Sequence, residues 1–140
     1  SSDLDHKFND IYAVNSVIQT SDKKKKHDIE PVPDKYSVFF DALSPVVYKL
    51  NDGTSGRTHA GLGAQDIITA LSTAGLTTKD FAGVCISDIV AADGTVTQEY
   101  GIRYAEFISI CISEIQKLKK AVAALQKGNG NGNKKGDKAK

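Results

Sequence analysis

"FISICISEIQKLKKAVAALQK", residues 107–127, sets the architecture. Ile108, Cys111, Ile115, Leu118, Val122 and Leu125 are spaced 3, 4, 3, 4, 3. That is an a/d seam over almost three heptads, with Phe107 and Ile112 widening its start. The pattern predicts a helix over about 102–127. A lone helix of this length is marginal in water, so partners must hold it. Self-association is the simplest source, and a helix lying on its own domain is the alternative. After Lys127 comes "GNGNGNKKGDKAK" (128–140), which cannot bury a core and is expected to be a disordered basic tail.

Working back from the helix, two hairpins and two helices are expected. "FAGVCISDIV" and "TVTQEY" flank Asp93-Gly94, and "VVYKL" (46–50) and "RTHAGLG" flank Asp52-Gly53. Gln65 to Ala74 reads as a helix with Ile67, Ile68 and Leu71 inward and Gly75 as its stop. Tyr36, Phe39, Phe40 and Leu43 form one face of a shorter helix, with Asp34 as its expected cap. The prolines of "EPVPD" (30–34) forbid a helix before it. Residues 8–19, "FNDIYAVNSVIQ", read as a strand pair or a strand with a corner at Asn15-Ser16. The fold class is therefore α+β: a small mixed domain of short hairpins and helices plus a long C-terminal helix.

Bulk properties remove several function classes. The chain has 140 residues and a net charge of +1, so it reads as one domain with no global field toward DNA or a membrane. No apolar run approaches the roughly 18 residues of a membrane helix. Residue 1 opens a polar stretch rather than a signal peptide, and a signal upstream is left open. Cys85 and Cys111 sit inside apolar runs and read as two buried thiols, which favours a reducing compartment. His6, His27 and His59 form no zinc signature, and neither a metal nor a cofactor is expected.

"TSDKKKKHDIE" (20–30) carries the chemistry to be weighed. A serine hydroxyl is a weak nucleophile until a base takes its proton. A neutral lysine can be that base, and Lys26 lies five residues after Ser21 with Lys23, Lys24 and Lys25 beside it. Neighbouring positive charge favours the neutral form. On spacing alone the stretch reads as a solvated charge run. Ser2 and Lys7 repeat the same spacing upstream.

An ordered set of motifs shifts that balance. The segment "IYAVNSVIQTSD" is followed by Lys26, then by the helix of Asp34–Leu43 and the "PVVYK" strand of Pro45–Lys49. Next come Gly56, Arg57, His59, Gly61, Ala64 and Gln65, and finally Tyr100, Gly101, Arg103, Tyr104, Phe107 and Ile108. Over about residues 8–127 this order resembles the C-terminal intramolecular chaperone auto-processing domain of phage tail fibres, tail spikes and endosialidases. The resemblance implies a homotrimer whose C-terminal helices form a coiled coil or bundle. It implies a chaperone that helps the preceding β-structured fibre of the same chain to fold and then cuts itself off between Thr20 and Ser21. It makes Ser21 the nucleophile and Lys26 the general base, with Asp22 orienting the lysine or the loop. It divides the chain into the end of a fibre stalk (1–20), the chaperone domain (21–127) and the tail (128–140). It places assembly in the cytoplasm of the bacterial host, with no membrane or nucleic-acid partner.

The sequence departs from the family's pattern at Lys24, where an arginine is common, and at His27, where an acidic residue or Asn is common. His27 is a candidate tuner of Lys26. His59 and Gln65 are candidate supporting residues, each with a structural role as the plainer reading. Two other functions compete with self-cleavage: a trimeric tip or adhesin that stays on the fibre, and a basic nucleic-acid module. The second lacks aromatic interleaving.

Overall fold

The computed structural model describes residue 8, residues 10–53 and residues 55–134. The chain divides into two units, Ser1–Glu30 and Pro31–Lys140. The pair Ser2 and Lys7 lies outside the described residues.

In the first unit the described part of 8–20 forms no strand. A turn at Val14 and Asn15 is followed by Ser16 at a φ of 34°. Phe8, Ile11, Tyr12, Val14, Val17 and Ile18 are all exposed. The expected strand pair is thus absent. A strand forms only where another strand accepts its backbone hydrogen bonds, and the β-rich composition has no such edge here. Among its described residues the regular element is a 3₁₀ turn at Lys23–Lys25.

The second unit opens with α1 (Lys35–Asp41), followed by β1 (Val46–Tyr48), β2 (His59–Gly61) and α2 (Ala64–Thr73). Then come β3 (Val84–Val90), β4 (Val96–Ile102) and α3 (Ala105–Lys134). The strands make two separate antiparallel ribbons, β1 with β2 and β3 with β4. The α+β reading holds and both hairpins form, although β1 and β2 are shorter than the expected strands at 46–50 and 57–63. Gly94 turns the longer one at a φ of 84°, a left-handed conformation that glycine adopts without steric cost. Gly75 ends α2 in the same way at 69°.

The core is built from one face of each helix. Phe39, Ile67 and Leu71 are fully buried, and Ala64, Ala70, Leu76, Phe81, Val84, Phe107 and Ile110 complete it. Phe81 is the hub: its ring lies 5.1 Å from that of Phe39 and 4.9 Å, edge-on, from that of Phe107. Burying one such side chain contributes about 1.5–3 kcal/mol. A three-residue ribbon cannot hold itself, so β1 and β2 lean on the base of α3. The Tyr104 hydroxyl accepts a hydrogen bond from the Leu62 N–H at 3.1 Å. It also occupies the space that a Cβ at Gly61 would need. Glycine is therefore required at 61 because tyrosine stands at 104.

α3 has two apolar faces. Phe107 and Ile110 turn into the core, and Glu114 and Lys117 continue that line toward α1. The heptad seam points the other way: Ile108, Ile115, Leu118 and Leu125 are 59%, 56%, 64% and 70% exposed. Phe107 therefore belongs to the core and does not widen the seam. The helix starts at Ala105 because Ile102 still belongs to β4 and the Arg103 N–H donates to the Gly83 carbonyl. It runs to Lys134, seven residues past the expected end at 127. Extending an existing helix avoids the nucleation cost that a separate segment would face. Residues 135–140 lie outside the described residues.

Two smaller expectations also change. Asp34 precedes α1 but makes no capping hydrogen bond; its carboxylate meets Lys117 Nζ at 3.5 Å instead. Cys85 and Cys111 are free, and both are half-buried rather than buried. β3 and β4 leave one face of Cys85 open, and Cys111 lines a groove.

Candidate functional site

The 3₁₀ turn reverses the chain within a few residues. The Lys25 N–H donates to the Asp22 carbonyl and the Lys26 N–H to the Lys23 carbonyl, both at 3.1 Å. Asp22 stands at the N-cap, where its Oδ1 accepts from the Lys24 N–H at 2.9 Å. The turn carries Lys26 back over Ser21, and Lys26 Nζ donates to Ser21 Oγ at 2.7 Å. So the two residues that spacing made candidates are in hydrogen-bond contact. Both are exposed.

The remaining candidates have other contacts. His27 Nδ1 lies 2.9 Å from Asp28 Oδ2, with both side chains almost wholly exposed. Asp28 holds a left-handed φ of 51°, which aspartate tolerates better than most residues. Thr20 directly precedes Ser21 and is exposed. His59 and Gln65 belong to the second unit. His59 pairs across the ribbon with Tyr48, ring on ring at 5.5 Å and 19°. Such cross-strand aromatic pairs stabilise short ribbons. Gln65 is in the first turn of α2, and its carbonyl accepts from the Thr69 hydroxyl at 3.2 Å.

Two features of the second unit were missed from sequence. The first is a polar cluster between α1 and α3. Lys117 Nζ donates to Ser37 Oγ, and Ser37 Oγ donates to Glu114 Oε1. Lys117 also meets Glu114 Oε1 at 3.7 Å. The i, i+3 spacing of Glu114 and Lys117 was a readable signal, but their partner Ser37 lies 80 residues from the lysine. The second is an apolar groove of about 920 Å³ beside β1 and β2. Phe40, Leu43, Val46, Val47, Leu62 and Cys111 line it. No group of residues suited to hold a metal ion occurs among the described residues. No helix among them is long and apolar enough to cross a membrane.

Comparison with known proteins adds three findings. Residues 21–76 match a peptidase family described as the chaperone of endosialidase. The match begins at Ser21. The capsule K3-specific depolymerase 1 of Klebsiella phage KP32 is 32% identical over 88 residues, covering 59% of this chain and 10% of the depolymerase. The chain thus spans about a tenth of that relative's length. Two solved structures share the fold. A crystal structure of a novel intramolecular chaperone aligns with a TM-score of 0.59 at 24% identity, over 71% of this chain and 99% of the other. The carboxy-terminal domain of the bacteriophage T5 L-shaped tail fibre, with its intramolecular chaperone domain, aligns with a TM-score of 0.61 at 19% identity. That alignment covers 90% of this chain and 35% of the other.

Proposed function

We propose, from a chain whose residues 21–76 match the chaperone of endosialidase, that this is the intramolecular chaperone of a phage fibre or spike. It trimerises, assists the preceding β-structured part of its own chain, and then releases itself between Thr20 and Ser21. The observation that carries self-cleavage is the 2.7 Å contact of Lys26 Nζ with Ser21 Oγ at the start of the matched segment.

The chemistry needs the reverse proton direction. With Lys26 neutral, its amine takes the Ser21 hydroxyl proton while Oγ attacks the Thr20 carbonyl carbon. The Thr20–Ser21 C–N bond then breaks, and Lys26 returns the proton to the departing Ser21 nitrogen. The product is an ester between the Thr20 acyl group and Ser21 Oγ. Water hydrolyses it, leaving a Thr20 carboxylate and a Ser21 with free hydroxyl and amine. An ammonium loses its proton more readily once water is excluded. Packing of the exposed loop in an assembled fibre would do this, and it makes cleavage follow assembly.

Exposure of the α3 seam supports the trimer. Isoleucine and leucine at its a and d positions do not enforce a dimer. Intertwined β-fibres have long-range contacts, fold slowly and expose unpaired edges. A module that assembles first brings three chains into register, and its removal leaves the fibre kinetically locked. The exposed apolar residues before Thr20 suit the end of that fibre. This activity belongs to virion assembly inside the bacterial host.

Expression of the chain with its upstream sequence tests the reading. The wild type should yield a fragment beginning at Ser21, identified by intact mass, and Ser21→Ala should yield none. A wild type that stays whole overturns self-cleavage and leaves a non-cleaving fibre tip.

A further inference from the structure

Lys26 reaches Ser21 only if the chain doubles back on itself, and its sequence resists that. Four consecutive lysines occupy the reversal: Lys23, Lys24 and Lys25 form the 3₁₀ turn, and Lys26 follows it as the extended C-cap. Something must hold the turn closed against their repulsion.

Asp22 supplies two of the turn's hydrogen bonds. Its carbonyl accepts from Lys25, and its carboxylate accepts from Lys24 at 2.9 Å. Its φ and ψ of −64° and 122° are those of an N-cap residue, extended while the turn begins. The carboxylate binds the backbone of Lys24 and not the reacting hydroxyl. We propose that Asp22 is a positioning residue for self-cleavage: by capping the 3₁₀ turn it fixes Lys26 Nζ against Ser21 Oγ. The proposal rests on the self-cleavage reading above. It assigns to Asp22 a hydrogen-bond acceptor's task rather than a charge's.

That distinction sets the experiment. The full chain with its upstream sequence is followed for its first-order cleavage rate across pH, as wild type, Asp22→Ala, Asp22→Asn and Asp22→Ser. Misplacing a reacting group by about 1 Å costs on the order of 100-fold, so Asp22→Ala should slow cleavage by about 10- to 100-fold. Asn and Ser keep an oxygen that caps as well as Asp does. Both should cleave within about threefold of wild type, with the pH midpoint of the rate unmoved. Asp22 is exposed, so thermal unfolding and oligomer mass should match among all four chains. An alanine variant as fast as wild type overturns the role of Asp22 alone. An asparagine variant as slow as the alanine one also overturns it, and a displaced midpoint in that variant assigns the effect to charge. A wild type that stays whole overturns the self-cleavage reading and this role with it.

Discussion

Among the described residues two lysines donate to a serine hydroxyl, and their surroundings are opposite. Lys26 meets Ser21 five residues away on an exposed turn, with three more lysines beside it. Lys117 meets Ser37 across 80 residues of chain, beside the half-buried carboxylate of Glu114 and the exposed one of Asp34. The Ser37 hydroxyl has already committed its proton to Glu114, and it sits inside a helix with its backbone fully engaged. Opposite charge makes the second lysine a clamp between α1 and α3. The first lysine stands among like charges on a capped turn, the surroundings on which the proposed self-cleavage draws. The contact is common to both, and the surroundings decide what it can do.

The sharpest way to break this contrast is to remove the hydroxyls one at a time. Ser21→Ala should abolish cleavage, and so should Lys26→Arg, because a guanidinium is never neutral in proteins. Ser37→Ala should cleave at the wild-type rate and cost only about 1 kcal/mol of stability, read by denaturant unfolding. Cleavage lost in Ser37→Ala would make the two pairs one system.

Next in size is assembly. Ile115→Asp with Leu118→Asp places two charges on the exposed seam of α3. The chain should remain folded as a monomer by circular dichroism, lose its trimer mass in sedimentation, and cleave slowly. Full-rate cleavage by this monomer would separate cleavage from assembly.

Lys117→Met should be milder. It leaves the Glu114 carboxylate, which is 19% exposed, with the Ser37 hydroxyl but without its cation, at a cost of about 1–3 kcal/mol. Adding Glu114→Gln should recover most of it, since the two residues share one network.

The smallest effect lies outside both pairs. The Thr77 backbone N–H and hydroxyl both donate to Asp80 and hold its carboxyl below the ordinary 3.8. A carboxyl depressed on folding stabilises above its unfolded value and loses that contribution as pH falls. Stability should therefore decline as pH drops below about 3.8, and less so in Asp80→Asn, measured by acid titration of unfolding.

Sequence patterns that depend on near neighbours were legible. The hairpins at Asp52-Gly53 and Asp93-Gly94, the apolar faces around Phe39 and Ile67, and the five-residue reach from Ser21 to Lys26 all need only local geometry. Which face of α3 meets the core did not follow from periodicity, because residues 107, 110 and 114 and residues 108, 111 and 115 carry the same spacing. The packing of Phe39 and Phe81 against Phe107 decides between them, and both arrive from distant parts of the chain. The clamp of Ser37 with Glu114 and Lys117 was hidden for the same reason. The strand expected at 8–19 failed because β-propensity states what a segment can pair with and does not supply the pair.

Among the described residues the last hydrogen bonds from α3 to its own domain are those of Lys117, yet the helix runs on to Lys134, on the order of 25 Å further. Beyond that point its helicity rests on extension of an existing helix and on whatever binds the seam. In the proposed trimer, the occupancy of the bound state rises steeply with the number of chains in solution. The distal half of α3 would then be a concentration gauge, best ordered where copies are plentiful.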